Sequence, residues 1–247
     1  MAALDGRTAV VTGAAGTMGL AAARVLLEDG AKVALLDVDR PRLESVARFL
    51  RGKLMTVACD IANAVEVKRA CESIEEELGA VGILVNNAGI LSNHKAEATT
   101  DSEWRRVLAV NLDGAFYLSR AVLPGMRKQG WGRIVNVSSL AAKTGGLTAG
   151  TAYAASKGGL ASLTFSLARE MAGTGVTVNA IAPAYVKTPM VTDQLNEQQR
   201  RALLATIPVG RFCEPEEFAH AVRFLCSPHA GFVTGEVLDV NGGLQMD

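Results

Sequence analysis

The sequence predicts an α/β protein: a doubly wound, mainly parallel seven-stranded sheet with helices on both faces. Three observations predict it. Short β-branched runs alternate with longer amphipathic or alanine-rich segments from one end of the 247 residues to the other. Several runs are continuously apolar, as strands buried on both faces require. The first run leads straight into a glycine-rich turn and then a helix, the order of a dinucleotide-binding βα unit of Rossmann type.

The strands are expected at Thr8–Val11, Lys32–Leu36, Leu54–Ala58, Ile83–Val85, Arg133–Val137, Val176–Ala180 and Val237–Val240. Helical segments fall between them, near 17–29, 41–50, 64–78, 101–128, 152–172 and 214–226. One domain over 1–247 is the simplest organisation. The stretch Thr188–Pro208 breaks the alternation with a polar insertion, expected to be helical over Asp193–Ala205. In such folds this insertion lies near the carboxyl ends of the strands, where ligands bind.

Composition narrows the function classes. Nearly half the residues are apolar and the formal net charge is zero. No basic block points to nucleic acid. No apolar run approaches the ~20 residues of a membrane helix. Cys59, Cys71, Cys213 and Cys226 are scattered, without spaced histidine partners, so reduced small core residues are expected rather than disulfides or a metal site. With no signal pattern in Met1–Arg7, a cytoplasmic protein is expected.

The turn Thr12-Gly13-Ala-Ala-Gly16-Thr17-Met18-Gly19 follows the first strand. Its glycines permit a tight turn and close approach of backbone to a diphosphate, and the helix behind it offers free N–H groups. Asp37 ends the second strand, where a carboxylate accepts both hydroxyls of an adenosine ribose. A 2′-phosphate, carrying about −1.5 to −2 charge, would be repelled there. Neither Gly16 nor Val38 supplies a compensating cation, and Arg40 follows Asp37 and Asp39. NAD(H) is therefore expected over NADP(H).

Tyr153 and Lys157 stand four residues apart, on one face of a helix, and Ser139 ends an apolar strand upstream. A tyrosine pKa near 10 is too high for a base at neutral pH. A lysine cation at ~4 Å is expected to lower it by roughly three units before desolvation opposes the shift. Tyr153 then serves as general acid and base at a carbonyl or alcohol oxygen, to which Ser139 donates a hydrogen bond.

These elements together resemble the short-chain dehydrogenase/reductase family over essentially the whole chain. The matching residues are Thr12–Gly19, Asp37, Asp60, Asn86-Asn87-Ala88-Gly89, Asn111, Ser139, Tyr153, Lys157 and Pro183–Thr188. The resemblance implies that Asp60 and Ile61 flank the adenine and that Asn86–Gly89 support the central strand and line the cofactor cleft. It implies that Asn111 holds a water linking Lys157 to solvent, and that Lys157 also binds the nicotinamide ribose. Val186 and Thr188 would hold the carboxamide, with Pro183 also binding the cofactor, and the segment near 188–208 would act as a substrate lid. A homotetramer built on helices 101–128 and 152–172 and the C-terminal strand is also implied.

Two departures from the family pattern stand out. Thr17 occupies a position where glycine is common. Ala184 replaces the glycine usual after Pro183, so that turn must avoid positive φ or carry strain. Ile207–Glu216 and Thr234–Gly243 are similar to 3-oxoacyl reductases, which commonly use NADPH, in conflict with Asp37. Members serving acyl carrier protein carry basic residues where this chain has Gly130-Trp131 and Gly173-Thr174-Gly175. Leu91, Leu147, Tyr185, Met190, Val191 and Leu195 are candidates for an apolar substrate pocket, with His94 and Lys95 nearby.

The leading expectation is an NAD(H)-dependent oxidoreductase of a small secondary alcohol or ketone. The alternatives are an NADPH-dependent 3-oxoacyl thioester reductase, an S-adenosylmethionine methyltransferase and a non-catalytic NAD-binding protein. Neither of the last two needs the Tyr153–Lys157 pair.

Overall fold

A computed structural model describes residues 2–189 and 196–246. Seven strands form one sheet: β1 Thr8–Thr12, β2 Lys32–Asp37, β3 Leu54–Ala58, β4 Val81–Asn86, β5 Gly132–Val137, β6 Val176–Pro183 and β7 Val237–Val240. Their order is β3-β2-β1-β4-β5-β6-β7, and every neighbouring pair is parallel. The chain winds outward from β1 in one direction and, after β3, crosses to β4 and winds the other way. The crevice between β1 and β4 at their carboxyl ends is thus the topological switch point.

The helices are α1 Thr17–Glu28, α2 Arg40–Ala47, α3 Ala64–Leu78, α4 Asp101–Leu108, α5 Gly114–Gln129, α6 Ala141–Thr144, α7 Thr151–Met171, α8 Glu197–Thr206 and α9 Pro215–Cys226. Two apolar cores result, one on each face of the sheet. Leu26, Val33, Leu35, Ile83, Phe218 and Val222 fill the face covered by α1 and α9. Val10, Leu36, Ile74, Leu84, Leu118 and Ile134 fill the face covered by α3, α5 and α7. Alternate residues of β1 and β2 point into opposite cores, so these strands are apolar throughout. At about 1.5–3 kcal/mol per buried aliphatic side chain, this double burial holds the sheet rigid beneath the crevice.

Local signals set the helix ends. Asn63 caps α3, its side chain accepting from Val65 N and Glu66 N. Asp60, three residues upstream, accepts from Ala62 N instead of capping the helix. Asn196 and Gln199 form a capping box at α8, and Glu214 and Glu217 form one at α9, where Arg211 also grips Glu217.

The structure departs from the sequence expectation at two helices. The predicted rod over 101–128 is interrupted by a π-helical segment, Ala109–Asp113, between α4 and α5. The wider turn sits where the buried Asn111 turns its amide onto neighbouring loop backbone, a commitment that periodicity does not reveal. In the insertion after β6, Asn196, expected inside a helix, is instead the cap of one that runs Glu197–Thr206; the expected start at Asp193 lies outside the described residues. The expected lining residues Met190, Val191 and Leu195 lie outside the described residues.

Among the described residues, no helix is long and apolar enough to cross a membrane. All four cysteines are free thiols. Burial raises Cys59 to about 11 and Cys71 and Cys226 to about 12, so they remain protonated core groups.

Candidate active site

The crevice begins at the glycine turn. Gly13 has φ +63, and a Cβ there would lie 2.9 Å from the Ala88 Cα. A Cβ on Gly19 would lie 2.3 Å from the Gly13 carbonyl oxygen. Both positions therefore require glycine. A Cβ on Gly16 would lie a tight 3.3 Å from the Gly13 carbonyl oxygen, and Gly16 serves as the N-cap of α1 with an extended backbone. Thr17 is the first helical residue, so the turn closes without the glycine common there. The Thr12 hydroxyl accepts from Asn87 N and Ala88 N, both at 2.9 Å, while Asn87 Nδ2 donates to the Thr12 carbonyl at 2.8 Å. These bonds clamp the loop after β4 to the turn after β1.

Asn86 acts on side chains rather than backbone. Its amide donates to Asn136 on β5 at 2.8 Å and to Ser119 on α5 at 3.3 Å. Asn136 passes the chain on to Thr164 of α7 at 2.9 Å. A buried polar ladder thus ties the central strands to two helices behind the crevice.

Asp37 closes one side of the crevice. Its two carboxylate oxygens accept from Ala15 N and Asp39 N, each at 3.1 Å, which fixes the carboxylate against the glycine turn. A cavity of about 200 Å³ opens beside it, lined by Gly13, Asp37, Val38, Asp60, Ile61, Ala88 and Gly89 among others. Arg106 and Cys59 also line it. Arg106 pairs with Asp60 at 3.3 Å, a contact with no sequence signal because it joins α4 to the loop after β3.

A second cavity, of about 170 Å³, gathers Met18, Asn87, Gly89, Ser139, Tyr153, Lys157, Pro183, Val186 and Thr188. A third, of about 320 Å³, shares Ser139, Tyr153, Pro183 and Tyr185 with it and extends toward Leu147 and Leu203. Ser139 and Tyr153 thus stand at the junction of two chambers. Of the remaining predicted site residues, Gly16, Thr17 and Gly19 shape the turn, and Asn111 lies buried behind the wall.

Tyr153 stands in the first turn of α7, half-buried. Burial raises its pKa, and its hydrogen bond with Ser139 works the other way. Ser139 is itself oriented by Ala141 N, which donates to its Oγ at 3.1 Å. Lys157 is 3 % exposed; its Nζ sits 5.7 Å from the Tyr153 ring centre and donates to the Val137 carbonyl at 2.6 Å. Burial pushes Lys157 down to about 8. The expectation that Lys157 draws the Tyr153 pKa below its usual value therefore fails in the protein alone. Both groups are withdrawn from water, and desolvation outweighs their mutual influence.

Asn111 Nδ2 donates to the Ile90 carbonyl and to Ser156 Oγ, each at 3.0 Å, and its Oδ1 accepts from Ile90 N at 2.8 Å. Ser156 in turn donates to the Tyr153 carbonyl at 2.7 Å. Asn111 thus fixes both the loop that carries Gly89 and the turn that carries Tyr153. A Cβ on Gly89 would meet Asn111 Oδ1 at 3.2 Å and Lys157 Nζ at 3.3 Å, so glycine here lets the amide and the ammonium flank one spot. Ser156 was missed by the sequence reading; its signal is only that it precedes Lys157.

Two expectations about the rim resolve differently. Ala184 avoids positive φ, and the turn is taken one residue later at Tyr185, with φ 45. Among the described residues, Tyr185 alone has positive φ without being glycine. Cys213 holds it there: Cys213 N donates to the Tyr185 carbonyl at 3.2 Å, and Lys187 N donates to the Cys213 carbonyl at 2.8 Å. His94 and Lys95 do not line the large cavity. His94 pairs with Glu103 at 2.8 Å, and Lys95 Nζ donates to the carbonyls of Gly146 and Ala149 at 2.9 and 2.7 Å.

The family profile described as "Enoyl-(Acyl carrier protein) reductase" matches residues 13–245. The chain is 43 % identical over 244 residues to the 3-oxoacyl-[acyl-carrier-protein] reductase FabG of Vibrio cholerae serotype O1, covering 98 % of this chain and 99 % of that protein. Among solved structures, it resembles a short-chain dehydrogenase/reductase, glucose/ribitol dehydrogenase, from Brucella melitensis, with TM-score 0.91 and 34 % identity over 99 % of both chains. It also resembles levodione reductase, with TM-score 0.93 and 30 % identity over 97 % of this chain and 98 % of that one.

Proposed function

The chain belongs to the short-chain dehydrogenase/reductase family, and from that premise we propose that it interconverts a secondary alcohol and a ketone with NAD(H), Tyr153 moving the proton. It is an oxidoreductase; the nucleotide, the residue roles and the substrate are the parts proposed. The observation that carries the reading is the junction of two chambers at Ser139 and Tyr153, with the Lys157 ammonium buried beside the phenol.

The crevice fits a dinucleotide. Gly13 and Gly19 leave space that a Cβ would fill, and α1 opens directly behind them. Gly13, Gly16, Thr17, Met18 and Gly19 would hold the diphosphate side, with Asp37 and Val38 at the adenosine ribose. Asp60, Ile61, Ala88 and Gly89 would enclose the adenine, and Asn87, Lys157, Pro183, Val186 and Thr188 the nicotinamide end. When bound, the cofactor supplies or accepts the hydride.

The protein's own work is at the substrate oxygen. Ser139 donates a hydrogen bond to it, and Tyr153 gives the proton in reduction or takes it in oxidation. A cationic Lys157 stabilises the tyrosinate formed during reduction, and Asn111 positions the proton path behind it. Preference for NAD(H) rests on Asp37, fixed by two backbone donors. Arg40 pairs with Glu44 at 3.7 Å, and Val38 is 67 % exposed with no charge to offer. The segment near 188–208 would close over the large cavity. Exposed Trp104, Phe116 and Phe165 on α4, α5 and α7 support a homotetramer, and the free thiols support a cytoplasmic site.

A second reading, NADPH-dependent reduction of a 3-oxoacyl thioester, draws on the name of the Vibrio cholerae relative. One screen separates the two: alcohols with NAD, and ketones and acetoacetyl thioesters with NADH and NADPH, read as nicotinamide absorbance. The Tyr153→Phe variant is expected to lose about 10²–10⁴ in turnover while binding NADH unchanged. Full turnover in that variant would refute the role of Tyr153.

A further inference from the structure

We propose that the substrate is an uncharged ketone or alcohol with a compact apolar body and a second hydrogen-bond acceptor that Tyr185 recognises. The inference rests on the oxidoreductase reading above and adds the chemical class of what enters the large cavity. That cavity measures about 320 Å³. Taking about 30 Å³ per heavy atom, the share of a water in the liquid, it holds about ten heavy atoms. Leu91, Leu140, Leu147, Ala149 and Leu203 supply its apolar walls.

Among the described residues that line it, none carries Asp, Glu, Lys, Arg or His. Lys157 lies in the adjoining chamber, behind Tyr153, and several charges around the lining residues are already committed. Lys95 is bonded to the carbonyls of Gly146 and Ala149, Glu103 to Ser92 and His94, and Lys143 to Asp239 at 2.6 Å. A carboxylate or phosphate entering this chamber would lose its water and meet no counter-charge. An uncharged body suffers no such loss.

Tyr185 supplies the selective polar contact. It lines both the large chamber and the one that holds Lys157. Its backbone is held at φ 45 by the hydrogen bonds with Cys213, a conformation that costs a non-glycine residue free energy. Among the described residues its phenol has no hydrogen-bond partner; the side chains of Asn93 and Thr148 on the same walls have none either, but of the three only Tyr185 also lines the chamber of Lys157, and Thr144 spends its hydroxyl on the Leu140 carbonyl at 3.1 Å. A strained aromatic residue with a free hydroxyl at the seam of two chambers is placed to bind a second oxygen while Tyr153 works at the first.

The test compares methyl 4-oxocyclohexanecarboxylate, its free carboxylate, unsubstituted cyclohexanone and acetoacetyl-coenzyme A in NADH-consumption assays. The ester is expected to exceed the carboxylate in kcat/KM by about a hundredfold. Tyr185→Phe is expected to lower kcat/KM for the ester about tenfold and leave cyclohexanone within about twofold. A carboxylate or coenzyme A thioester used as well as the ester overturns the substrate class. Equal losses on both cyclic ketones overturn the role of Tyr185. If none of the four is turned over, calorimetry on Tyr153→Phe with NADH decides. Tighter binding of the ester than of the carboxylate supports the proposal, and equal, reversed or no binding overturns it. Failure of the parent reading looks different: no alcohol or ketone of any charge is turned over with either nicotinamide cofactor.

Discussion

Replacing Lys157 by methionine should inactivate the enzyme and stabilise the fold. The ammonium is 3 % exposed, and burial pushes its pKa from 10.5 to about 8. At 1.36 kcal/mol per pK unit, holding the charge below pH 8 costs the native state on the order of 3 kcal/mol. One bond opposes its removal: Nζ donates to the Val137 carbonyl at 2.6 Å. Leaving that carbonyl unpaired costs about 1–3 kcal/mol. The net expectation for Lys157→Met at pH 7 is a gain on the order of 1–2 kcal/mol, or about 2–8 °C in Tm for a chain of this size. The pH dependence has a definite sign. Between about pH 8 and 10.5 the unfolded chain binds the proton that the native state has lost, so wild-type stability rises through that window. The advantage of the variant should therefore shrink by on the order of 3 kcal/mol from pH 8 to 10.5 and reverse at the alkaline end. Urea unfolding of both proteins at several pH values, followed by circular dichroism, measures the difference directly. A variant less stable at pH 7, with a difference that does not move with pH, would refute the reasoning.

Two further predictions concern the nucleotide side. Asp37→Ala removes a repulsion of up to about 4 kcal/mol against a 2′-phosphate, so kcat/KM with NADPH should rise at least about tenfold while that with NADH falls. An unchanged preference, measured with both cofactors on one ketone, would show that Asp37 does not set it. Gly13→Ala forces a Cβ to 2.9 Å from the Ala88 Cα at φ +63. It should cost about 1–3 kcal/mol in thermal unfolding and abolish NADH binding by calorimetry. Normal binding in a fully stable variant would contradict the strict need for glycine there.

Much of this protein was legible before its structure. The seven strands were readable because each is short and largely apolar, and several are apolar on both faces, a pattern that follows from burial under two helical layers. Asp37 and the glycine turn were readable because they are close in sequence and flanked by a strand and a helix. Tyr153 and Lys157 share one helical turn, so their spacing alone brings them together. What was not legible depends on contacts between distant segments. The π-helical turn at Asn111 answers to Ile90 and Ser156, and no period in residues 101–128 announces it. Ala184 was expected either to avoid positive φ or to carry strain; it avoids it, and the positive φ falls on Tyr185, where the chain is tied to Cys213 across a loop.

By itself the sequence determined the order of strands and helices along the chain, the residues able to do chemistry, and the family that combines them. These are properties of local pattern and residue type. Only the tertiary structure decided what surrounds the chemistry. It withdrew Tyr153 and Lys157 from water, so that burial rather than their attraction sets the direction of both pKa values. It committed Lys95, His94 and Lys143 to protein partners and left a large chamber whose described walls carry no charge. The physical reason is the same in each case. Desolvation and the pairing of charges depend on which distant atoms close around a group, and that is settled when the two faces of the sheet are covered and the loops at its carboxyl edge meet.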